Sequence, residues 1–195
     1  MWLYRTLAAV SVLPQIIFED NHLLVVIKPP GVLSQADGSS SPDMLTLLRQ
    51  DLKIRCNKPG NVYLGLLHRL DQPVSGLMVF ARTSKAASRL SGQIRSQRLD
   101  KVYLAVVKGH PQPAEGCLED WLLKDPATRR VQGPAPGEGR AAALDYRVLE
   151  YSQTHDASLI KIRLGTGRSH QIRVQLQSRG WPILHDHRYG TQSSD

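Results

Sequence analysis

Short apolar runs that end in charged or Pro/Gly-rich turns set the strongest limit on how this chain can fold. Val25–Lys28 within "NHLLVVIKPPG", Val62–Leu67, Leu77–Ala81, "KVYLAVVKGH", "ALDYRVLEY" and "SLIKIRLG" each have strand length and strand composition, and turn residues close most of them. Helical periodicity is rarer. Pro42-Asp43 opens a stretch with Leu45, Leu48 and Leu52 at helix spacing. "TSKAASRLSGQIRSQ" offers Thr83 or Ser84 as N-cap and puts Ala87, Leu90 and Ile94 on one face. "SHQIRVQLQSRG" reads as a helix capped by Ser169, with Ile172 and Leu176 inward and Gly180 as its stop. The Pro/Gly-rich stretch from Pro111 to Arg140 predicts a hairpin excursion, with a short strand around Trp121 and a mobile loop at "GPAPGEGR". Many strands and few helices, without strict βαβ alternation, predict an α+β fold: a largely antiparallel mixed sheet with a few flanking helices. Neither GxGxxG after a strand nor GxxxxGK[ST] occurs, so nothing points to a dinucleotide or triphosphate site.

A chain of 195 residues predicts one domain over 1–195, with room for two lobes. Its 41% hydrophobic and 22% charged shares are those of a soluble globular protein. Cys56 and Cys117 stand alone, with no CxxC, and read as reduced thiols in an intracellular protein. His68, His110, His170, His185 and His187 show no ligand spacing, so no metal and no cofactor is expected. The apolar run from Thr6 to Leu13 is too short to span a membrane and is expected to be a leading strand or ordered arm. No membrane partner is expected, the location is expected to be cytoplasmic, and the absence of coiled-coil repeats makes a monomer the default. The net charge of +8 and pI near 9.8 favour an anionic partner. Arg82, Lys85, Arg89, Arg95, Arg98 and Lys101 form one basic region; Lys161, Arg163, Arg168, Arg173 and Arg179 form another.

Between two apolar runs, "LLHRLDQPVSGLMVFAR" sets Arg69 and Asp71 almost side by side. Charges beside a core are costly unless they are paired, solvated or put to use. This segment alone allows two readings. Asp71 caps a turn and Arg69 is a surface cation, or Asp71 is a catalytic group on a loop held by a rigid scaffold. A second cluster, "RLGTGRSHQIR", places Gly165, Thr166 and Gly167 before Arg168, where a strand gives way to a helix whose N-terminus would attract anions. An Asp71 facing Arg168 would stay ionised despite apolar walls. Tyr103, in a strand, is either a core residue or a ring that stacks on a base.

Taken together, "VVIKPPG", "HRLDQPVSGLMVFAR", "KVYLAVVKG" and "LGTGRSHQIRVQL", in that order, resemble the motifs of the RluA-type pseudouridine synthases, from about Ile16 to Tyr189. The resemblance implies a pseudouridine synthase catalytic domain acting on rRNA or tRNA without a cofactor. It makes Asp71 the essential aspartate and Arg69 the residue that enters the RNA and holds the target base out of the stack. Tyr103 becomes the tyrosine that packs on the uracil, Arg168 the basic partner of the aspartate, and Ile172 an apolar wall; His68 is structural. The implied reaction breaks the bond from uracil N1 to ribose C1′ and joins C5 to C1′, and the base must first be flipped out. Two departures stand out. Set against the resemblance, no N-terminal RNA-binding module of the kind many relatives carry is expected in these 195 residues, and the C-terminal end at Asp195 is expected to be short. The closing motif reads His185-Asp186 rather than Gly-Asp, with Tyr189 in place. Two other classes share these residues: a catalytically silent RNA-binding or RNA-folding protein on the same domain, and a glycosylase that releases uracil.

Overall fold

The computed structural model describes residues 14–128, 130–133 and 137–190. The expected arm over residues 6–13 and residues 134–136 of the expected loop lie outside these. The chain divides into two compact units, the first running to Ser96 and the second beginning at Gln97.

The first unit contains β1 (Gln15–Glu19), β2 (Leu23–Lys28), α1 (Met44–Arg55), β3 (Gly65–Leu66), β4 (Gly76–Ala81) and α2 (Ser84–Arg95). The strands form an antiparallel sheet in the order β1-β2-β4-β3. Strand alternation drives Leu24 and Val26 of β2, with Met78 and Phe80 of β4, into one core, where Met44, Leu48 and Leu52 of α1 join them. The N-cap of α1 is Asp43, whose carboxylate accepts from the Thr46 amide at 3.0 Å. Before it, residues 35–40 form an exposed loop whose ends are stitched together. The Leu33 amide donates to the Pro42 carbonyl at 3.0 Å, and the Met44 amide to the Leu33 carbonyl at 2.8 Å. The strand expected over Val62–Leu67 contracts to two residues. Leu64 is drawn into the core, and its carbonyl accepts from Arg49 of α1 at 3.2 Å. Helix α2 is capped by Thr83 as expected, and Ala87, Leu90 and Ile94 are half-buried on its inner face.

In the second unit β5 (Val102–Lys108), β6 (Glu115–Lys124), β7 (Val131–Gln132), β8 (Arg140–Ser152) and β9 (Ala157–Leu164) make an antiparallel sheet in the order β5-β9-β8-β6-β7, followed by α3 (Gln171–Gln177). Val107, Leu118, Leu144, Tyr146, Ile160, Ile162 and Leu176 form its core. The strand expected around Trp121 is ten residues long rather than short, because Leu118, Asp120 and Leu122 alternate inward along its whole pairing with β8. Trp121 itself points outward and is 45% exposed. The turn after β7 demands glycine: Gly139 has φ +85°, and a Cβ there would stand 2.4 Å from the Leu122 carbonyl oxygen. Asp120 is buried but answered, accepting from Gln175 at 2.8 Å and from Arg179 at 2.5 Å. Fold class thus agrees with the α+β expectation, and every pairing between named strands is antiparallel.

Candidate active site

The turn between β3 and β4 carries Arg69 and Asp71, and it is fastened at His68, Leu70 and Gln72. Ser34, itself buried, donates through its hydroxyl to the Leu70 carbonyl at 2.7 Å and accepts from the Leu70 amide at 3.0 Å. His68 accepts at Nε2 from the Val79 amide at 3.0 Å, which supports its structural reading. The Gly31 amide donates to the Gln72 carbonyl at 2.9 Å, and the Gln72 side chain returns a bond to the Gly31 carbonyl at 3.0 Å. Gly31 makes this exchange at φ +84°, a backbone that glycine adopts without strain. Asp71 is half-buried and Arg69 exposed.

Beneath this turn lies a residue the sequence reading missed. Lys28, at the end of β2, is wholly buried. Its Nζ donates to the carbonyls of Pro29 at 2.9 Å, Val32 at 2.6 Å and Gln72 at 2.9 Å. Burial pushes its pKa down to about 8, while the charge of nearby Asp71 pulls it back up. A buried ammonium is tolerated only when its donors are matched, and three carbonyls match all three. The available signal was a lysine closing an apolar strand directly before Pro-Pro-Gly.

The second unit carries the remaining candidates. Tyr103 lies on β5 opposite Ile162, half-buried against the core, and Ile172 of α3 packs on the same cluster. Arg168 is exposed, with its Nε donating to the Ala141 carbonyl at 2.9 Å. The expected anion-binding helix start is corrected. Helix α3 begins at Gln171, not after a Ser169 cap; His170 precedes it in a left-handed conformation at φ 52° and provides no side-chain cap. The Gln171 side chain instead ties down the turn that precedes the helix. Its Oε1 accepts from the Arg168 amide at 3.0 Å and the Thr166 hydroxyl at 2.8 Å, while its Nε2 donates to the Ala143 carbonyl at 3.0 Å. The amides of Gly165 and Thr166 also go to the Ala143 carbonyl, so these amides are spent inside the turn rather than offered to a ligand. Burial, then the charge of Arg168, lowers the pKa of Lys101.

The closing segment is anchored to α3. Arg173 meets Asp186 in a bidentate pair, Nε to Oδ2 at 2.7 Å and Nη2 to Oδ1 at 2.5 Å, and stands 5.0 Å from the centre of the Tyr189 ring. Burial opposes ionisation of Asp186, but Arg173 and the amides of Arg188 and Tyr189 outweigh it and hold the carboxyl below its usual range. The Tyr189 hydroxyl accepts from the Val131 amide at 2.9 Å and shares a 2.7 Å hydrogen bond with His170 Nδ1. A shallow cavity of about 360 Å³ lined by Lys108, Gly109, Asp156, Gln177, Gly180 and Pro182 contains none of the candidate residues. Among the described residues no group of three or more His, Cys, Asp or Glu is placed to hold a metal, and no helix is long and apolar enough to cross a membrane.

These antiparallel sheets and three helices are the architecture of pseudouridylate synthases. The chain matches the solved structure of human RNA pseudouridylate synthase domain containing 4 with a TM-score of 0.76 at 24% identity, covering 91% of this chain and 69% of that one. A match to human domain containing 1 has a TM-score of 0.73 at 25% identity, covering 92% and 71%. The family model described as RNA pseudouridylate synthase matches residues 22–178, and the chain belongs to that family. An uncharacterized RNA pseudouridine synthase of Aquifex aeolicus is 33% identical over 92% of this chain, and the ribosomal large subunit pseudouridine synthase D of Zymomonas mobilis is 36% identical over 90%. The chain spans little more than half of these two relatives, 57% and 56% of their lengths. The dual-specificity RNA pseudouridine synthase RluA of Escherichia coli is 34% identical over 90% of this chain and 77% of its own length.

Proposed function

We propose that this chain isomerises uridines in structured RNA, rRNA or tRNA, to pseudouridine, with Asp71 as its catalytic carboxylate. The observation that carries the reading is the turn around Asp71, fixed by Lys28, Ser34 and Gly31 within a chain of this family. The reaction releases uracil N1 from ribose C1′, turns the base, bonds C5 to C1′ and gives the C5 proton to water. Atoms and electrons balance without an oxidant or energy source. As the C–N bond leaves, positive charge builds at C1′, and a carboxylate is the side chain that answers it, as in glycoside hydrolysis. Rigidity matters because a small misplacement of such a group weakens catalysis severely. Arg69, exposed beside Asp71, enters the RNA and offsets the few kcal/mol of flipping the base. Tyr103 packs on the uracil, Ile172 walls the pocket, and Arg168 takes the basic role.

The test is tritium release from RNA labelled at uracil C5, with Asp71→Asn beside the wild type. Release by the wild type alone, with no free uracil, supports the reading. Free uracil would make the chain a glycosylase. RNA binding without release from either rRNA or tRNA, in a folded sample, would make it an RNA-binding or RNA-folding protein.

A further inference from the structure

From Gln72 to Leu99 the chain contains no aspartate or glutamate, yet Arg82, Lys85, Arg89, Arg95 and Arg98 fall within it. The described arginines elsewhere are often answered by carboxylates: Arg55 by Glu19 and Asp51, Arg147 by Glu115, Arg163 by Asp100, Arg173 by Asp186 and Arg179 by Asp120. Arg82 also pairs with Glu19. Among the described residues, no carboxylate pairs with Lys85 or Arg89. They stand one helical turn apart on α2, both exposed, with exposed Ser84, Ser88 and Gln93 around them. The opposite face of α2 is already occupied, since Ala87, Leu90 and Ile94 are half-buried and the Ala87 Cβ would lie 3.3 Å from a Cβ placed on Gly65.

We infer that the outer face of α2 is a phosphate-backbone contact for the RNA substrate, outside the catalytic turn. The inference rests on the RNA reading above and extends it to a surface. Charge complementarity selects the occupant. A row of cations, hydroxyls and an amide, without any carboxylate, is the inventory that meets phosphate oxygens. Protein interfaces centre instead on aromatic or aliphatic anchors, and this face exposes none. A membrane would need the apolar face, which is packed against the sheet.

The experiment measures binding of a fluorescein-labelled RNA stem-loop across a salt series, using the full chain. For Lys85→Gln/Arg89→Gln, the slope of log affinity against log salt becomes shallower by about 1.4–1.8, two released counterions' worth, and affinity falls at low salt. Lys85→Arg/Arg89→Lys keeps the slope. Thermal melting confirms that each variant is folded. An unchanged slope in the glutamine variant overturns the assignment. So does an equal loss of binding to poly-glutamate, which would make the face a site for acidic proteins. Because the readout is binding, it is independent of isomerisation: absent tritium release alongside the expected slope change refutes the synthase reading and leaves the surface standing.

Discussion

Lys28 shows how one side chain joins two functions. It holds the Pro-Pro-Gly turn and, through the Gln72 carbonyl, the backbone next to Asp71. Lys28→Met removes the donor and leaves the Pro29 and Val32 carbonyls without it, a cost of about 1–3 kcal/mol. The expected outcome is a lower urea midpoint together with a fall in tritium release, measured below the variant's melting temperature. Asp186 supplies a second test. Its buried pair with Arg173 makes Asp186→Asn costly by about 3–5 kcal/mol. The sign with pH follows from a carboxyl whose pKa is depressed in the folded state. Its stabilisation is present above the unfolded value near 4 and drains away as pH falls through the folded one. Denaturation curves from neutral pH downward should therefore converge for wild type and Asn variant only in acid. Asp71, Arg69 and Tyr103 were legible as candidates because motifs name residue types in order. Lys28 was not, because its importance lies in three carbonyls that the sequence does not bring together.

Among elements, strands with regular alternation were read well and irregular pieces poorly. β4, β5 and β9 carry enough β-branched and apolar residues for their pairing to be expected, and the Asp43 and Thr83 caps follow from residue type. β3 was overestimated because Leu64 answers to α1, a tertiary contact that overrides strand propensity. α3 starts at Gln171, one residue later than a Ser169 cap implies, because His170 takes a left-handed conformation and the Gln171 side chain ties down the turn before the helix. Gln171→Leu should accordingly destabilise the chain by about 1–3 kcal/mol, leaving the Thr166 hydroxyl and the Arg168 amide without the acceptor they use. Hydrogen exchange checks the element directly: amides from Gly165 to Arg168 should lose protection ahead of those in β9.

At the scale of the whole molecule, charge and architecture act separately. A net charge of +8 says nothing about fold but governs encounter with a polyanion. Association with RNA should slow steeply as salt rises from about 50 to 200 mM, whereas a first-order isomerisation step on bound RNA should change little. Stopped-flow mixing and single-turnover tritium release separate the two. Residues 35–40, meanwhile, leave and re-enter the first unit through the hydrogen bonds joining Leu33 to Pro42 and Met44, with Ser34 tied to Leu70. That closed seam turns the exposed loop into a graft point. A recognition peptide or tag inserted after Gly38 would face mainly loop-closure entropy, about 0.6 kcal/mol for each doubling of length, while the carboxylate's mounting stays as it is. Adding a recognition element to this scaffold is therefore a matter of what is spliced there, with the turn that carries Asp71 left as inherited.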